Sequence, residues 1–334
     1  VLHSGGVMFQ EYWEAFLIGP FLFFAGLVGM GMVVMSIIKL RGGHLRYEPL
    51  LYVLLVSIIL ALLLVMADLT RPPTVMMVAM LNSFLTLRYN LFLPILRGEF
   101  VLRFSWMALG IVMLILALLA VAIWALPYIT QRIRTLLPPA IVKPLEPLLA
   151  ILDKLALWVL SKKWFYYAAI FIGVMVTLYS GFLISEAKAV PFWNTTLWGI
   201  PGIPTIWIFS ATAGALALIR MYHLDKEEIV HITEKYSLYA EIGEVVAIFL
   251  FLYNAINSAS LAARESAWAI LWGELAPIFW TLVIGLGIAV PMATATLSRL
   301  VHSPKLIYTG CVSGLFGALA LRTLIVYAGI PEPL

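Results

Sequence analysis

An all-α membrane protein with eight transmembrane helices is the fold class this sequence predicts. Composition is the first observation: 63% of the 334 residues are hydrophobic and only 11% are charged, where soluble domains run near a quarter charged. The second is length. Apolar runs of about twenty residues, enough to cross a hydrocarbon core of about 30 Å, recur along the whole sequence. The third is punctuation, because polar, Pro-bearing or basic connections separate the runs. We place spans at 14–38, 49–67, 105–128, 164–186, 203–222, 238–262, 273–297 and 305–329. The chain reads as one integral membrane domain over 1–334, with transmembrane helices in 14–128 and 164–329 forming two four-helix bundles.

The first run is too long for a signal-peptide core, and no small-residue cleavage site follows it, so it is expected to stay as a span. Its Phe24-Ala-Gly-Leu-Val-Gly29 is echoed faintly by Phe209-Ser-Ala-Thr-Ala-Gly214 in the fifth. Small residues at such spacing let helices approach closely. Between the second and third spans, the apolar Val75–Leu81 is followed by Asn82, Ser83, Arg88, Tyr89 and Asn90. That pattern suits segments on the membrane or a docking surface. Residues 130–163 alternate basic residues with Ile133, Leu137, Ile141, Leu145, Leu149 and Leu152, which predicts cytoplasmic amphipathic helices in the interface plane. Pro191 ends the fourth span, since it lacks an N–H and disfavours helix at the residue before it. Phe192 and Trp193 are rings of the kind that settle at a membrane boundary.

Charge sets the orientation. The loops after spans one, three, five and seven hold fourteen Lys and Arg, and the opposite side holds six. The positive-inside tendency makes the first set cytoplasmic and puts both termini outside.

Several chemistries are disfavoured. His3, His44, His223, His231 and His302 fall in loops or at span ends, so paired haem ligands inside the bundle are not expected. The single Cys311 excludes a thiolate-held iron–sulfur cluster or a Cys zinc site in this chain alone. No HExxH, P-loop or GxGxxG occurs. The chain is expected to bind no haem or metal.

Ionisable groups at or within spans are costly in lipid and point to function. On the outer side these are Glu14, Asp68, Arg71, Glu186 and Lys188, with Tyr179 and Ser180 about a helical turn deeper. Each charge also serves simply to anchor a helix at the boundary. On the inner side Glu241 and Glu244 sit at the expected start of span six, where a helix dipole favours acids. Arg322 lies well inside span eight and needs an acid or carbonyl partner. Asn254 and Asn257 suit interhelical hydrogen bonds.

The stretch Tyr179-Ser-Gly-Phe-Leu-Ile-Ser with Val190-Pro-Phe-Trp-Asn-Thr195 resembles the NrfD/PsrC family, the membrane subunits of polysulfide reductase-like molybdopterin oxidoreductases. Asp68-Leu-Thr-Arg-Pro72 is similar to the family's Asp-Leu-Gly-Arg-Pro, and Leu22-Phe-Phe-Ala-Gly26 and Leu324-Ile-Val-Tyr-Ala-Gly329 also fit. Thr70, where the family prefers Gly, and the long 130–163 segment depart from the pattern.

The resemblance implies an eight-helix anchor exchanging electrons with a quinone, menaquinone or similar, as substrate. Its partners would be an extracytoplasmic iron–sulfur subunit and a molybdopterin catalytic subunit, and its setting the cytoplasmic membrane. Sulfur or polysulfide respiration is favoured, with tetrathionate or dimethyl sulfoxide as further acceptors. The family's quinone-contacting Tyr carries over to Tyr179, and the neighbouring Asp and Arg to Asp68 and Arg71. A quinone pocket needs hydrogen-bond donors and a proton route. Tyr179 and Arg71 can donate, with Ser180 beside them, while Asp68 and Glu14 can pass protons; Glu241, Glu244, Glu186 and Arg322 are candidates for the longer proton path. The alternative is a secondary transporter or ion-translocating protein, which predicts broken helices in corresponding halves. Gly285, Gly287 and Pro291 interrupt span seven, but span three has no matching break.

Overall fold

The computed structural model describes residues 9, 13–68, 106–301 and 303–332. The connection 70–104, with Arg71, lies outside the described residues. Among the described residues, eight helices are long and apolar enough to cross a membrane. The chain is a multi-pass membrane protein.

Helices α1 (Ala15–Leu40), α2 (Tyr47–Asp68), α3 (Trp106–Leu136) and α5 (Lys163–Ser185) form the first bundle, each packing on its neighbours around a closed ring. Between α3 and α5 lies α4 (Pro139–Leu160). After α5 come a 3-10 turn (Pro191–Asn194) and a two-stranded hairpin of β1 (Thr196–Leu197) and β2 (Ile200–Pro201).

The second bundle comprises α6 (Gly202–Met221), α7 (Glu227–Ile256), α9 and α10 (Pro304–Tyr327), with the short α8 (Leu261–Leu271) between α7 and α9. Helix α9 starts with Ala276–Ile278, continues as a π-helix over Phe279–Ala289 and resumes α geometry over Val290–Val301. Pro291 has no N–H to give the Leu286 carbonyl five residues back. The Ser313 hydroxyl of α10 donates to that carbonyl instead, at 2.7 Å. Helices α1 and α5 carry the contact between bundles, packing on α6, and α1 also packs on α10.

Two boundaries differ from expectation. Helix α3 continues past 128 to Leu136. There the Arg134 guanidinium bonds Asp153 at 2.6 Å and Glu146 at 3.1 Å, and Thr130 also donates to Asp153, folding α4 back onto the last turns of α3. Burial raises the Asp153 carboxyl, but the hydrogen bonds from Thr130 and Arg134 outweigh it and hold the group below its ordinary value. Helix α7 begins at Glu227, not near 238. Glu241 and Glu244 therefore lie fourteen and seventeen residues into the helix, and the helix-start explanation for them fails.

Phe192 and Trp193 are also placed differently from expectation. Both are buried. The Trp193 indole stacks on Trp13 at 5.5 Å and donates to the Ile325 carbonyl at 2.9 Å. A side chain at Gly329 would strike this ring at 2.9 Å. The loop motif thus packs on the closing motif of α10, and the rings are core anchors because their partners come from distant sequence.

Candidate functional site

Polar groups collect in two regions. One lies at the end of the molecule where α1 begins and α2 and α5 finish. Here Asp68, at the end of α2, accepts the backbone N–H of Glu14 at 3.1 Å. Tyr179 is enclosed (2% exposed), its ring seated on Gly110 of α3, where a methyl group would overlap it. The neighbouring Ser180 is buried and donates to the Thr177 carbonyl of its own helix at 2.9 Å. Nearby, Trp106 stacks on Phe182 at 4.5 Å. Glu186 and Lys188 are exposed beyond the helix end. Arg71, the remaining member of the predicted pocket, lies outside the described residues.

The second region is inside the second bundle. Helices α7 and α9 meet where Phe249 packs on Phe279 and Trp280, at 6.4 and 6.3 Å between ring centroids. Away from that contact a narrow polar cavity lies between them, completed by α6 and α10. Glu234, Ser237, Glu241 and Glu244 reach it from α7, where spacings of three, four and three residues put them on one helical face. Ser210 and Arg220 come from α6, Thr294 and Ser298 from α9, and Cys311 from α10. The Arg220 guanidinium is held by the Thr233 carbonyl at 2.9 Å and Thr233 Oγ1 at 3.3 Å.

Bonded to Ser210 and Ala318 of the cavity wall is Arg322, only 1% exposed. It donates to Ser210 Oγ at 2.9 Å and to the Ala318 carbonyl at 3.0 Å, and its guanidinium lies 5.0 Å from the Trp207 ring centroid. Ser210 lines the same cavity as Glu244. The far side of the guanidinium faces Gly26 of α1, where a Cβ would come within 3.2 Å of it. The Leu22–Gly26 motif thus makes room for a charge from the other bundle.

The family model described as "Polysulphide reductase, NrfD" matches residues 6–332. The chain belongs to this NrfD family. Among curated relatives, it is similar to Protein NrfD of Escherichia coli, 31% identical over 170 residues that cover 47% of this chain and 50% of the relative. It is also similar to the C subunit of polysulfide reductase from Wolinella succinogenes (26%; 47% and 51% covered) and to a Protein NrfD homolog of Haemophilus influenzae (25%; 47% and 50%). The chain spans about half the length of the curated relatives it matches.

For this NrfD family member, the structure joins Asp68 to Glu14, and Glu241 and Glu244 to one cavity whose wall residue Ser210 bonds Arg322. Glu186 is not part of that group. Sequence reasoning missed Ser210, Ser237, Thr294 and Arg220 as neighbours of these acids. The 234–237–241–244 spacing was the available signal, hidden by a late start assigned to α7. Asn254 takes an inter-element bond, to the Thr196 carbonyl at 2.8 Å, while Asn257 bonds back to Tyr253 at 2.8 Å.

Proposed function

We propose that this protein is the quinone-reactive membrane subunit of a multi-subunit oxidoreductase. It exchanges electrons between membrane quinone, menaquinone or similar, and an iron–sulfur subunit at the Tyr179 end, which serves a molybdopterin catalytic subunit. Sulfur or polysulfide respiration is the favoured setting, with tetrathionate and dimethyl sulfoxide as further acceptors. The observation that carries the reading is the near-complete match to the NrfD family, whose relatives include a subunit of polysulfide reductase.

The geometry supports it at one end. A quinol gives up its hydroxyl protons with its electrons, so its pocket needs both donors and carboxylates. Tyr179 offers a phenol in an apolar wall beside Gly110. Asp68 and Glu14 are carboxylates at the same end, tied to one another through a backbone hydrogen bond.

The test is quinol-linked turnover of the complete complex carrying Tyr179→Phe or Asp68→Asn. Each is expected to lose about tenfold, the worth of one ordinary hydrogen bond. Turnover driven by a soluble donor to the partner subunits should stay unchanged. Unaltered quinol-linked rates in both variants would mean that the pocket is elsewhere.

A further inference from the structure

We propose that the end of α4 and the start of α5 form a binding site for the head groups of anionic phospholipids, with Lys154, Trp158, Lys162 and Lys163 as its contacts. This inference rests on where α4 sits and how it is charged, and stands whether or not the quinone reading holds.

The height argues first. Helix α5 has 23 residues, about 34 Å at 1.5 Å per residue, little more than a hydrocarbon core of about 30 Å. Its start at Lys163 therefore marks a membrane surface. Phe165 and Tyr166, at that start, pack on Trp124 of α3 at 6.0 and 5.3 Å between ring centroids. Helix α3 runs on from Trp124 to Leu136, about 18 Å further. Helix α4 returns over the same height to Leu160, whose carbonyl accepts the Tyr166 hydroxyl at 2.8 Å. Its 22 residues measure about 33 Å, so it descends obliquely. The stretch from Ile151 to Leu160 then lies within about 7 Å of the surface. Lipid head groups fill a layer of about that depth.

The rotation of α4 argues second. Glu146 and Asp153 are held by Arg134 of α3, and Leu149 and Ala156 between and beyond them are buried. Spacings of three, four and three residues make these four one inward face. On the other side Ile151, Leu155 and Trp158 are each more than half exposed. Lys154, Trp158 and Lys162 follow one another at intervals of four and stand in one column. The Lys162 ammonium lies 5.8 Å from the Trp158 ring centroid, within reach of a cation–π contact. Exposed Trp164 and Tyr167 continue the aromatic surface onto α5, at the level where such rings settle in a bilayer.

The charges argue third. Residues 139–163 carry Glu146 and Asp153 as their acids, and Lys143, Lys154, Lys162 and Lys163 as their bases. Both acids are spent on Arg134. All four lysines are exposed, and none forms an ion pair among the described residues. Acids turned inward and lysines turned outward, beside apolar side chains, complement a layer with phosphates above and acyl chains below. A protein partner at this height would have to displace lipid from Ile151, Leu155 and Trp158. The bilayer is already there.

Trp158 reports on the site. The full-length protein is placed in phosphatidylcholine bilayers containing a little brominated phosphatidylglycerol or, separately, brominated phosphatidylcholine. Fluorescence quenching is measured, and the Trp158 share is taken as the difference from Trp158→Phe. Stronger quenching by the anionic lipid is expected. Lys154→Gln and Lys162→Gln should each lower that preference about fivefold. Lys143→Gln should leave it unchanged, since Lys143 stands about 14 Å above the surface, beyond a screening length of about 8 Å. Equal quenching by the two lipids, or a preference that survives both lysine changes, would overturn the site. No quenching by either lipid would put Trp158 in water and leave the face to a protein partner. A preference removed by sodium phosphate, but not by sodium chloride of equal ionic strength, would assign the lysines to a soluble anion instead. None of these readouts involves quinone, so a failure here leaves the Tyr179 test intact, and the reverse.

Discussion

In the first bundle α1 and α5 approach until Gly29 and Gly173 touch, and a Cβ on Gly29 would lie 2.5 Å from the Gly173 carbonyl oxygen. In the second, the glycine contact at Gly287 and Gly317 serves α9 and α10, and α7 is left to meet α9 mainly through aromatic rings at one end. The same device, a small residue admitting a neighbouring backbone, closes one bundle and opens the other. The closed bundle is lined by Leu50, Leu51, Leu54 and Ile58, all fully buried. The open one carries Glu244, Ser210, Ser237 and Arg220 in its interior. Packing partners, more than helix composition, decide which bundle takes polar groups.

Arg322 is the point where the two meet, and removing it is the strongest way to break the comparison. Its guanidinium is bonded to Ser210 and the Ala318 carbonyl, and is seated against Gly26. Arg322→Leu leaves the Ser210 hydroxyl and the Ala318 carbonyl without their buried charged donor, a loss of about 1.5–3 kcal/mol. Arg322→Lys keeps the charge but not the planar fork and is expected to fall between the two. Unfolding midpoints of the detergent-solubilised protein check both. A leucine variant as stable as the parent would mean that the second bundle tolerates a dry core.

The matching test on the closed side is Gly173→Ala. The added methyl would lie 2.8 Å from Val33 Cγ2 and against the Gly29 carbonyl. Overpacking of this kind costs about 1–3 kcal/mol. Gly214→Ala offers a contrast, because a Cβ there finds ordinary contacts at 3.5 and 3.9 Å and should change the midpoint little. If both variants behave alike, the close approach of α1 and α5 is not what seals the first bundle.

The spans themselves were legible because hydropathy over about twenty residues has few other physical causes. The family-like motifs were legible too, but their work was not. Trp193 reads as a boundary ring from sequence and is instead a core donor to Ile325, since nothing local shows a partner 132 residues away. Helix α7 was cut short for the opposite reason. Its first turns, Glu227 to Tyr236, are polar because they extend past the apolar stretch, so hydropathy sees no helix there. That error moved Glu241 and Glu244 to a helix start and concealed their shared face with Ser237. The π segment of α9 was signalled only by Gly285, Gly287 and Pro291, which mark a break without specifying its geometry.

A smaller effect tests the seam between the bundles. His223, fully buried after α6, accepts the Arg46 N–H at Nε2 at 2.7 Å, and its Nδ1 lies 2.8 Å from the Ile219 carbonyl. With the proton on Nδ1 donating to Ile219, both nitrogens are used and the ring is neutral. Burial pushes its pKa below the ordinary value, with Lys226 and Arg46 acting in the same direction against the Ile219 carbonyl and Asp225. The unfolded state therefore takes up a proton at a higher pH than the folded one does. The stabilisation is complete above about pH 6.5 and is lost progressively as pH falls through the depressed folded value. The unfolding midpoint should drop between about pH 8 and pH 5, and His223→Gln should flatten that slope while costing about 1 kcal/mol at neutral pH. A slope that survives His223→Gln would move the pH sensitivity away from this seam.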